Sequence, residues 1–484
     1  MRFADNDSIS DFQIVKRILT QATPFVFNRL GEVGSDYLIF QWFSSLGRNW
    51  LAAAGIVNPV MAITRGVNAV ILYATAPKVR KINQDPNAVS SVVRRSWLLA
   101  AFLGLAGATM ASLSGFLFKG LREPEAAVEI AQNFLWAYSA GLIPILSVVS
   151  DQQTVLGLEK PYWVLGMTLL MNPLILALGY PLAFNGGLKE IGFGLAYSVV
   201  GLLHHLAYIG LFKKIFKLGG LCRRPDCSLL EETGSLAKTG SWGGLYAFFE
   251  LGGNVTTALL LGRGKNGDQV LGYWLPSQLY SSIFGNLTYA YGHSVGISVN
   301  KSKEAKRDRE AGRIGNIGIG LGLVLFFVLI ILFLISPNLL LRPFLGDDCS
   351  ALARNFLLIT LLSLFPDILR NVGSGNLRGL GDNSFASLTN ASVISLTQVS
   401  SVIAHAAGAS PETIIGIRAG GIATCGMLIS GRWWYKSKPV ESENVYSPLI
   451  RYSAGVRETG GSFFDWLKNC FRSRESESVF ILNR

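Results

Sequence analysis

Charge is what this chain of 484 residues has least of: Asp, Glu, Lys and Arg together make up 15% of it, against about 25% in an ordinary soluble domain. Cysteine is scarce too. The five, at positions 222, 227, 349, 425 and 470, imply no disulfide framework. Only four histidines are present, 204, 205, 293 and 405, and they form no dyad with a nucleophile, so an enzyme is not expected. No GxxxxGK[ST] run occurs, which excludes the commonest ATP-binding loop. The first twenty residues lack an apolar core and a small-residue cleavage site and hold Asp5, Asp7 and Asp11, so no cleavable signal is expected.

What the chain has instead is apolar length. Half of it is hydrophobic and its mean hydropathy is +0.38. Runs of about 20 apolar residues, enough to cross a hydrocarbon core about 30 Å thick, recur from end to end. Length and breakers predict spans at 20–46, 50–76, 94–118, 126–150, 161–184, 191–215, 236–262, 268–297, 312–337, 351–378, 383–407 and 412–434. The expected fold class is therefore an all-α membrane protein of about twelve transmembrane helices. The net charge of +12 would suggest nucleic acid in a soluble chain. Here the basic residues gather in alternate loops: Lys78, Arg80, Lys81, Arg94 and Arg95, then Lys213, Lys214, Lys217, Arg223 and Arg224, then Lys301, Lys303, Lys306, Arg307 and Arg309. Basic loops stay in the cytoplasm, so both termini are expected there. The partners expected are the lipid bilayer and a small-molecule substrate, with no nucleic acid.

An internal repeat divides the chain. Gly157-Leu158 and Gly379-Leu380 stand 222 residues apart, Pro144 and Pro366 share that offset, and Glu32 answers Glu250 at 218. Two six-helix lobes of the same orientation follow, at 20–215 and 236–435. A cytoplasmic segment, 1–19, precedes them, a cytoplasmic loop, 216–235, joins them, and a cytoplasmic tail, 436–484, ends the chain. Parallel repeats of this kind are a transporter architecture, with substrate near the midplane between the halves. In the tail, Phe463, Phe464, Leu467, Cys470 and Phe471 beside Lys468, Arg472 and Arg474 read either as a short helix on the anionic inner leaflet or as a disordered tail.

The stretch 366–382 stands out, because Asp367 follows an apolar run and lies inside what still reads as membrane. A carboxylate at that depth costs about 2.5–3.5 kcal/mol on insertion scales and marks a functional site by default. Tyr246-Ala-Phe-Phe-Glu250 in the seventh span, Asp367 in the tenth, and Leu377-Arg378-Gly379 ten residues later resemble the multidrug and toxic compound extrusion (MATE) transporters. The similarity is strongest to their bacterial sodium- or proton-coupled branch and covers residues 20–435. Leu51-Ala52-Ala53-Ala54-Gly55 at the start of the second span and the glycine-rich run 186–196 before the sixth agree with it. The resemblance implies a monomer in the plasma (inner) membrane that exports amphipathic, cationic organic compounds by H⁺ or Na⁺ antiport. It implies no cofactor beyond that coupling ion. In that branch the acids of the seventh and tenth spans bind the ion, a role that passes here to Glu250 and Asp367.

The chemistry of the residues is compatible with this. A carboxylate in a low-dielectric cavity can alternate between a charged and a neutral form, and Asn254, Thr256 and Thr257 could add oxygens to a hard cation. A carboxylate pinned by hydrogen bonds to stiffen the bundle is the alternative. In the N-lobe, Arg29, Glu32 and Asp36 share one helical face and are placed in the cavity with Arg65 and Asn172. Counting back from Leu46-Gly47, the acid of the family falls on Ile39, so Asp36 is one turn away from it. An Arg29–Glu32 pair with Asp36 near the surface is the other reading of that span. Arg29 and Arg65 could instead hold a diphosphate, as in a lipid-linked saccharide flippase of the same superfamily. A non-transporting membrane protein on this scaffold is a third possibility.

Other residues carry weaker expectations. Pro144, Pro173, Pro276 and Pro366 are expected to interrupt helices. Tyr138, Trp274, Tyr280 and Tyr291 could offer an aromatic surface to flat cations or anchor at the interface. His204 and His205 could relay protons or simply pack. Cys222 and Cys227 fit no zinc spacing with these histidines, so no metal is expected.

Overall fold

The computed structural model describes residues 10–221, 227–264, 266–347 and 349–437, except the side chains of 227–231, 329 and 332. The tail cluster, Cys222, Arg223 and Arg224 lie outside the described residues. Among the described residues, twelve long helices succeed one another. In the first half these are α1 (Asp11–Ser45), α2 (Arg48–Lys81), α3 (Pro86–Gly120), α4 (Glu125–Ser139 and Leu142–Gly157, meeting at 57°), α5 (Pro161–Asn185) and α6 (Lys189–Lys214). In the second half they are α7 (Cys227–Gly262), α8 (Gly267–Glu304), α9 (Asp308–Ile335), α10 (Ala351–Gly379), α11 (Asn383–Ala406) and α12 (Pro411–Ser437). A short helix, Pro337–Leu345, follows α9. The chain is an all-α membrane protein. Seven of these helices are long and apolar enough to span a bilayer by composition alone, and the bent α4 makes an eighth. The other four, α1, α7, α8 and α11, all contribute polar faces to an internal cavity, which lowers their mean hydropathy.

Each expected span is a helix, and several begin earlier than expected, although α11 (Asn383–Ala406) does not overrun its span. α1 begins at Asp11, where Ser10 and Gln13 cap it reciprocally (3.3 and 3.2 Å), satisfying amides that the first turn leaves free. α7 begins at Cys227, inside the segment read as an inter-lobe loop. Both described chain ends lie on one face of the bundle. Asp11 is paired to Arg313 at 2.6 Å, and the backbone of Ser437 sits 2.7 Å from where a side chain on Gly312 would begin.

The prolines behave differently from expectation. Pro173, Pro276 and Pro366 lie inside continuous helices, since neighbouring helices can hold a membrane helix together where proline removes one hydrogen bond. The bend of α4 falls at residues 139–142, just before Pro144. α2 instead widens into a π-helical turn, Ala62–Val67, three residues after Pro59.

Two contacts position the site. In the second half, Gly292 and Gly296 of α8 meet Gly375 and Gly379 of α10 so closely that a Cβ on Gly375 would lie 2.1 Å from the Gly292 carbonyl oxygen, and one on Gly379 2.5 Å from that of Gly296. Small residues four apart let membrane helices approach backbone to backbone. Along the same line, Gly285 faces Asp367. On the face opposite the chain ends, Leu51, Ala52, Ala53 and Ala54 of α2 pack with Leu260 and Leu261 of α7 and with Leu271 and Trp274 of α8, all 8% exposed or less. A Cβ on Gly55 would fall 3.1 Å from the Leu271 carbonyl oxygen. This layer closes the two lobes on that face.

Candidate functional site

Beneath that layer lies a cavity of about 310 Å³, lined from both lobes. A smaller hollow of about 40 Å³ shares Arg29, Tyr73, Gln152 and Tyr289 with it and reaches Leu156 and Pro161 on the face that carries the chain ends. The cavity is thus sealed at one end and continued toward the other. All eight residues singled out from the sequence, Arg29, Glu32, Asp36, Arg65, Asn172, Glu250, Asn254 and Asp367, line it.

In the N-lobe, Glu32 is held by Arg29 at 2.5 Å, by Arg65 at 3.8 Å, and by the amides of Asn28 and Gln152 at 3.3 Å each. Arg29 also donates to the Tyr73 hydroxyl. Asp36 does not reach the bundle surface: it accepts from the Tyr197 hydroxyl at 2.6 Å and faces Arg65 at 4.0 Å. Arg65 projects from the π-helical turn of α2, an irregularity that recurs at functional positions. Arg29 and Arg65 are therefore both committed to carboxylates, which speaks against their holding a diphosphate.

In the C-lobe, the sequence reading missed the central group. Arg370, 3% exposed, sits between the two acids. Its guanidinium is 2.5 Å from Glu250 and 2.6 Å from Asp367 and donates to Asn390 Oδ1 at 3.1 Å. Asn371 donates to the other oxygen of Asp367 at 3.1 Å. Arg370 and Arg378 lie over the Tyr246 ring at 5.9 and 5.7 Å, and Arg378 also over Tyr289 at 5.1 Å. One turn after Asp367 on the same helix, Arg370 had a readable spacing. Arg418 of α12 was missed as well, and it too lines the cavity. Four lining arginines, 29, 65, 370 and 418, thus face four lining acids, 32, 36, 250 and 367.

The expected aromatic surface is elsewhere. Tyr138, Trp274, Tyr280 and Tyr291 are buried in helix packing, because each points to a neighbouring helix; Tyr73, Tyr197, Tyr246 and Tyr289 line the cavity instead. The histidines separate. His204 lines the cavity, whereas His205 pairs with the fully buried Asp151 at 2.7 Å, and Trp97 donates to that acid at 2.6 Å. Among the described residues no group of His, Cys, Asp and Glu could hold a metal ion.

Comparison with known proteins agrees with this architecture. Residues 247–424 match the MatE family model. The "Probable multidrug resistance protein NorM" of Deinococcus radiodurans is 24% identical over 448 residues, covering 89% of this chain and 97% of that protein. A multidrug resistance MATE family transporter of the MOP superfamily, in its inward-facing conformation, superposes with a TM-score of 0.73 at 13% identity, over 89% of this chain and 98% of its own. A MOP superfamily transporter from Pyrococcus furiosus, described as having a binding pocket of reverse polarity, gives 0.69 at 14% identity, over 90% and 100%.

Proposed function

We propose that the chain, which matches the MatE family model over residues 247–424 and shares the fold of MATE transporters, is a secondary active exporter of small amphipathic organic compounds, exchanging them for protons by alternating access. One observation carries the reading: a cavity between two lobes, sealed on one face, in which a single guanidinium bridges the two carboxylates expected to bind the coupling ion. The position a sodium ion would take between Glu250 and Asp367 is filled by Arg370. A proton needs only a lone pair on either acid, so the arrangement favours H⁺ over Na⁺.

Protonation of Glu250 or Asp367 would release one of the two charge-assisted bonds of Arg370, each stronger than a neutral hydrogen bond. Arg370 and Asp367 both stand on α10 and Glu250 on α7, so protonation of Glu250 in particular loosens α7 from the α8–α10 pair. α7 in turn packs along α2 of the other lobe, where a Cβ on Gly240 would fall 2.1 Å from the Ile71 carbonyl oxygen. The change at the acids therefore has a direct path to the lobe boundary. Both termini are proposed to face the cytoplasm of the plasma membrane, with the cavity open toward that side, and the protein to act as a monomer.

A cationic substrate, as the resemblance implied, would meet lining carboxylates that each already face an arginine within 4.0 Å. A transporter of the same fold carries a pocket of reverse polarity, so the fold leaves the sign of the substrate open. The test is efflux of ethidium and of carboxyfluorescein from proteoliposomes under an imposed pH gradient and then a sodium gradient. Efflux that follows the pH gradient and is lost in Asp367→Asn and Glu250→Gln is expected. Wild-type efflux in both variants would overturn the assignment.

A further inference from the structure

We propose that an anionic group of the substrate, a carboxylate, sulfonate or phosphate, docks on Arg418 of α12 with the Ser401 hydroxyl of α11 beside it. Transport of that substrate rests on the exporter reading; the binding site rests on its own geometry. Of the four arginines that line the cavity, three are consumed by its acids. Arg418 alone has no hydrogen bond and no ion pair among the described residues, although it lines the cavity. A guanidinium does not shed its proton inside a protein. An arginine left without a partner in a membrane cavity therefore keeps its charge and a fork of donors matched to a carboxylate or phosphate.

The surroundings of Arg418 suit that ligand. α11 and α12 run antiparallel, and Gly421 packs on Thr397, a Cβ there falling 2.2 Å from the threonine hydroxyl. One turn back on α12 and one turn on along α11, Arg418 lies level with Ser401. Ser401 is 5% exposed and its hydroxyl makes no hydrogen bond among the described residues. Elsewhere in the lining, the buried amide nitrogens of Asn58, Asn172 and Gln278 are also without partners, so polar groups on the body of the substrate find donors. Such orphaned buried groups call for a ligand or water to complete them. Arg418 also balances the single excess charge of the Glu250–Arg370–Asp367 cluster. An arginine that did only this would act on an anion at a distance, and its removal would weaken binding less than the loss of a direct charge-assisted contact does.

The test uses the purified full-length protein in detergent, with carboxyfluorescein binding read by fluorescence anisotropy. Wild type should bind, Arg418→Lys should bind more weakly because a point charge replaces the fork, and Arg418→Gln more weakly still, by at least about tenfold against wild type, as expected for loss of a charge-assisted contact. Ser401→Asp, which sets a carboxylate where the anion would lie, should abolish binding and serves if Arg418→Gln does not fold. Competition by a short-chain phosphatidate would identify a lipid head group as the natural source, and competition by benzoate alone a free organic anion; either supports the site. Failure of wild type to bind, or equal binding by wild type, Arg418→Gln and Ser401→Asp, overturns it. Gradient-driven efflux by wild type is scored separately. Binding lost on Arg418→Gln without any such efflux would sink the exporter reading and leave the anion site, and ethidium efflux without carboxyfluorescein binding would do the reverse.

Discussion

Arg370 of α10 reaches Glu250 of α7, 120 residues earlier in the chain, at 2.5 Å. The arginine is buried and its partner is partly open to the cavity, with side-chain exposures of 3% and 28%. The bond therefore joins a fixed group to one that the aqueous side can reach.

Removing the arginine should cost more than removing either acid. Arg370→Met leaves two carboxylates without a counter-ion, and breaking a buried pair costs about 3–5 kcal/mol. Its melting temperature in detergent should fall well below those of Glu250→Gln and Asp367→Asn. The triple variant carrying all three changes should recover much of the loss, a non-additivity that a thermodynamic cycle measures. Additive losses would show that the three groups do not act together.

The lobe contact on the sealed face can be locked. The Leu51 Cβ lies 3.9 Å from where the Cβ of a residue at 272 would stand, within the separation of about 3.5–4.5 Å that a disulfide bridges. In a background without the five native cysteines, Leu51→Cys with Gly272→Cys should cross-link on mild oxidation and stop efflux, with recovery on reduction. A cross-linked protein that still transports would mean that these lobes do not part during the cycle.

The α8–α10 contact should tolerate nothing larger than hydrogen. Gly375→Ala would place a methyl 2.1 Å from a backbone oxygen, so a marked loss of folded, monodisperse protein on size exclusion is expected. Gly416→Ala is the control: nothing lies within 4 Å of a Cβ there, and alanine favours a helix over glycine by about 1 kcal/mol. That variant should be as stable as wild type or slightly more so.

Glu123, in the loop between α3 and α4, gives the sealed face a pH dependence. The residue is 6% exposed, its carboxyl oxygens have no hydrogen-bond partner among the described residues, and it abuts Gly262 at the end of α7 in the other lobe. Burial pushes its pKa from 4.5 to about 8, against the opposing pull of Arg263. Since the raised pKa belongs to the closed, folded form, that form binds more protons than the open or unfolded one between these values. Stability of the closed face should therefore fall as pH rises from about 4.5 to about 8 and level off above. Glu123→Gln should remove that slope in thermal melts at pH 5, 6.5 and 8, while an unchanged slope would assign it to other groups.

How far the sequence led differs from residue to residue. Apolar length located all twelve spans, since the bilayer imposes that length regardless of packing. Several N-terminal ends, those of α1 and α7 above all, lie further out, because caps such as Ser10–Gln13 and polar turns continue a helix into water, where hydropathy is silent. Glu250 and Asp367 were legible as charges where charge is costly. Arg370 and Arg418 are equally costly there, yet the basic residues had been read chiefly as loop charges that set topology. The lining aromatics were not legible: Tyr138 and Tyr197 both belong to N-lobe helices, and only packing decides that one is walled in and the other faces the cavity. The Gly292/Gly296 and Gly375/Gly379 pairs stand in the sequence as two small-xxx-small motifs, but nothing local says that each is the partner of the other.

The layer of Leu51, Ala52–Ala54, Leu260, Leu261 and Leu271 is almost wholly apolar. If the lobes part there, water must wet hydrocarbon surface, and wetting of that kind raises the heat capacity. The ratio of sealed to unsealed protein would then trace a curve with temperature, not a straight line on a van 't Hoff plot. Cooling would weaken the seal, so a population trapped open is best sought in the cold.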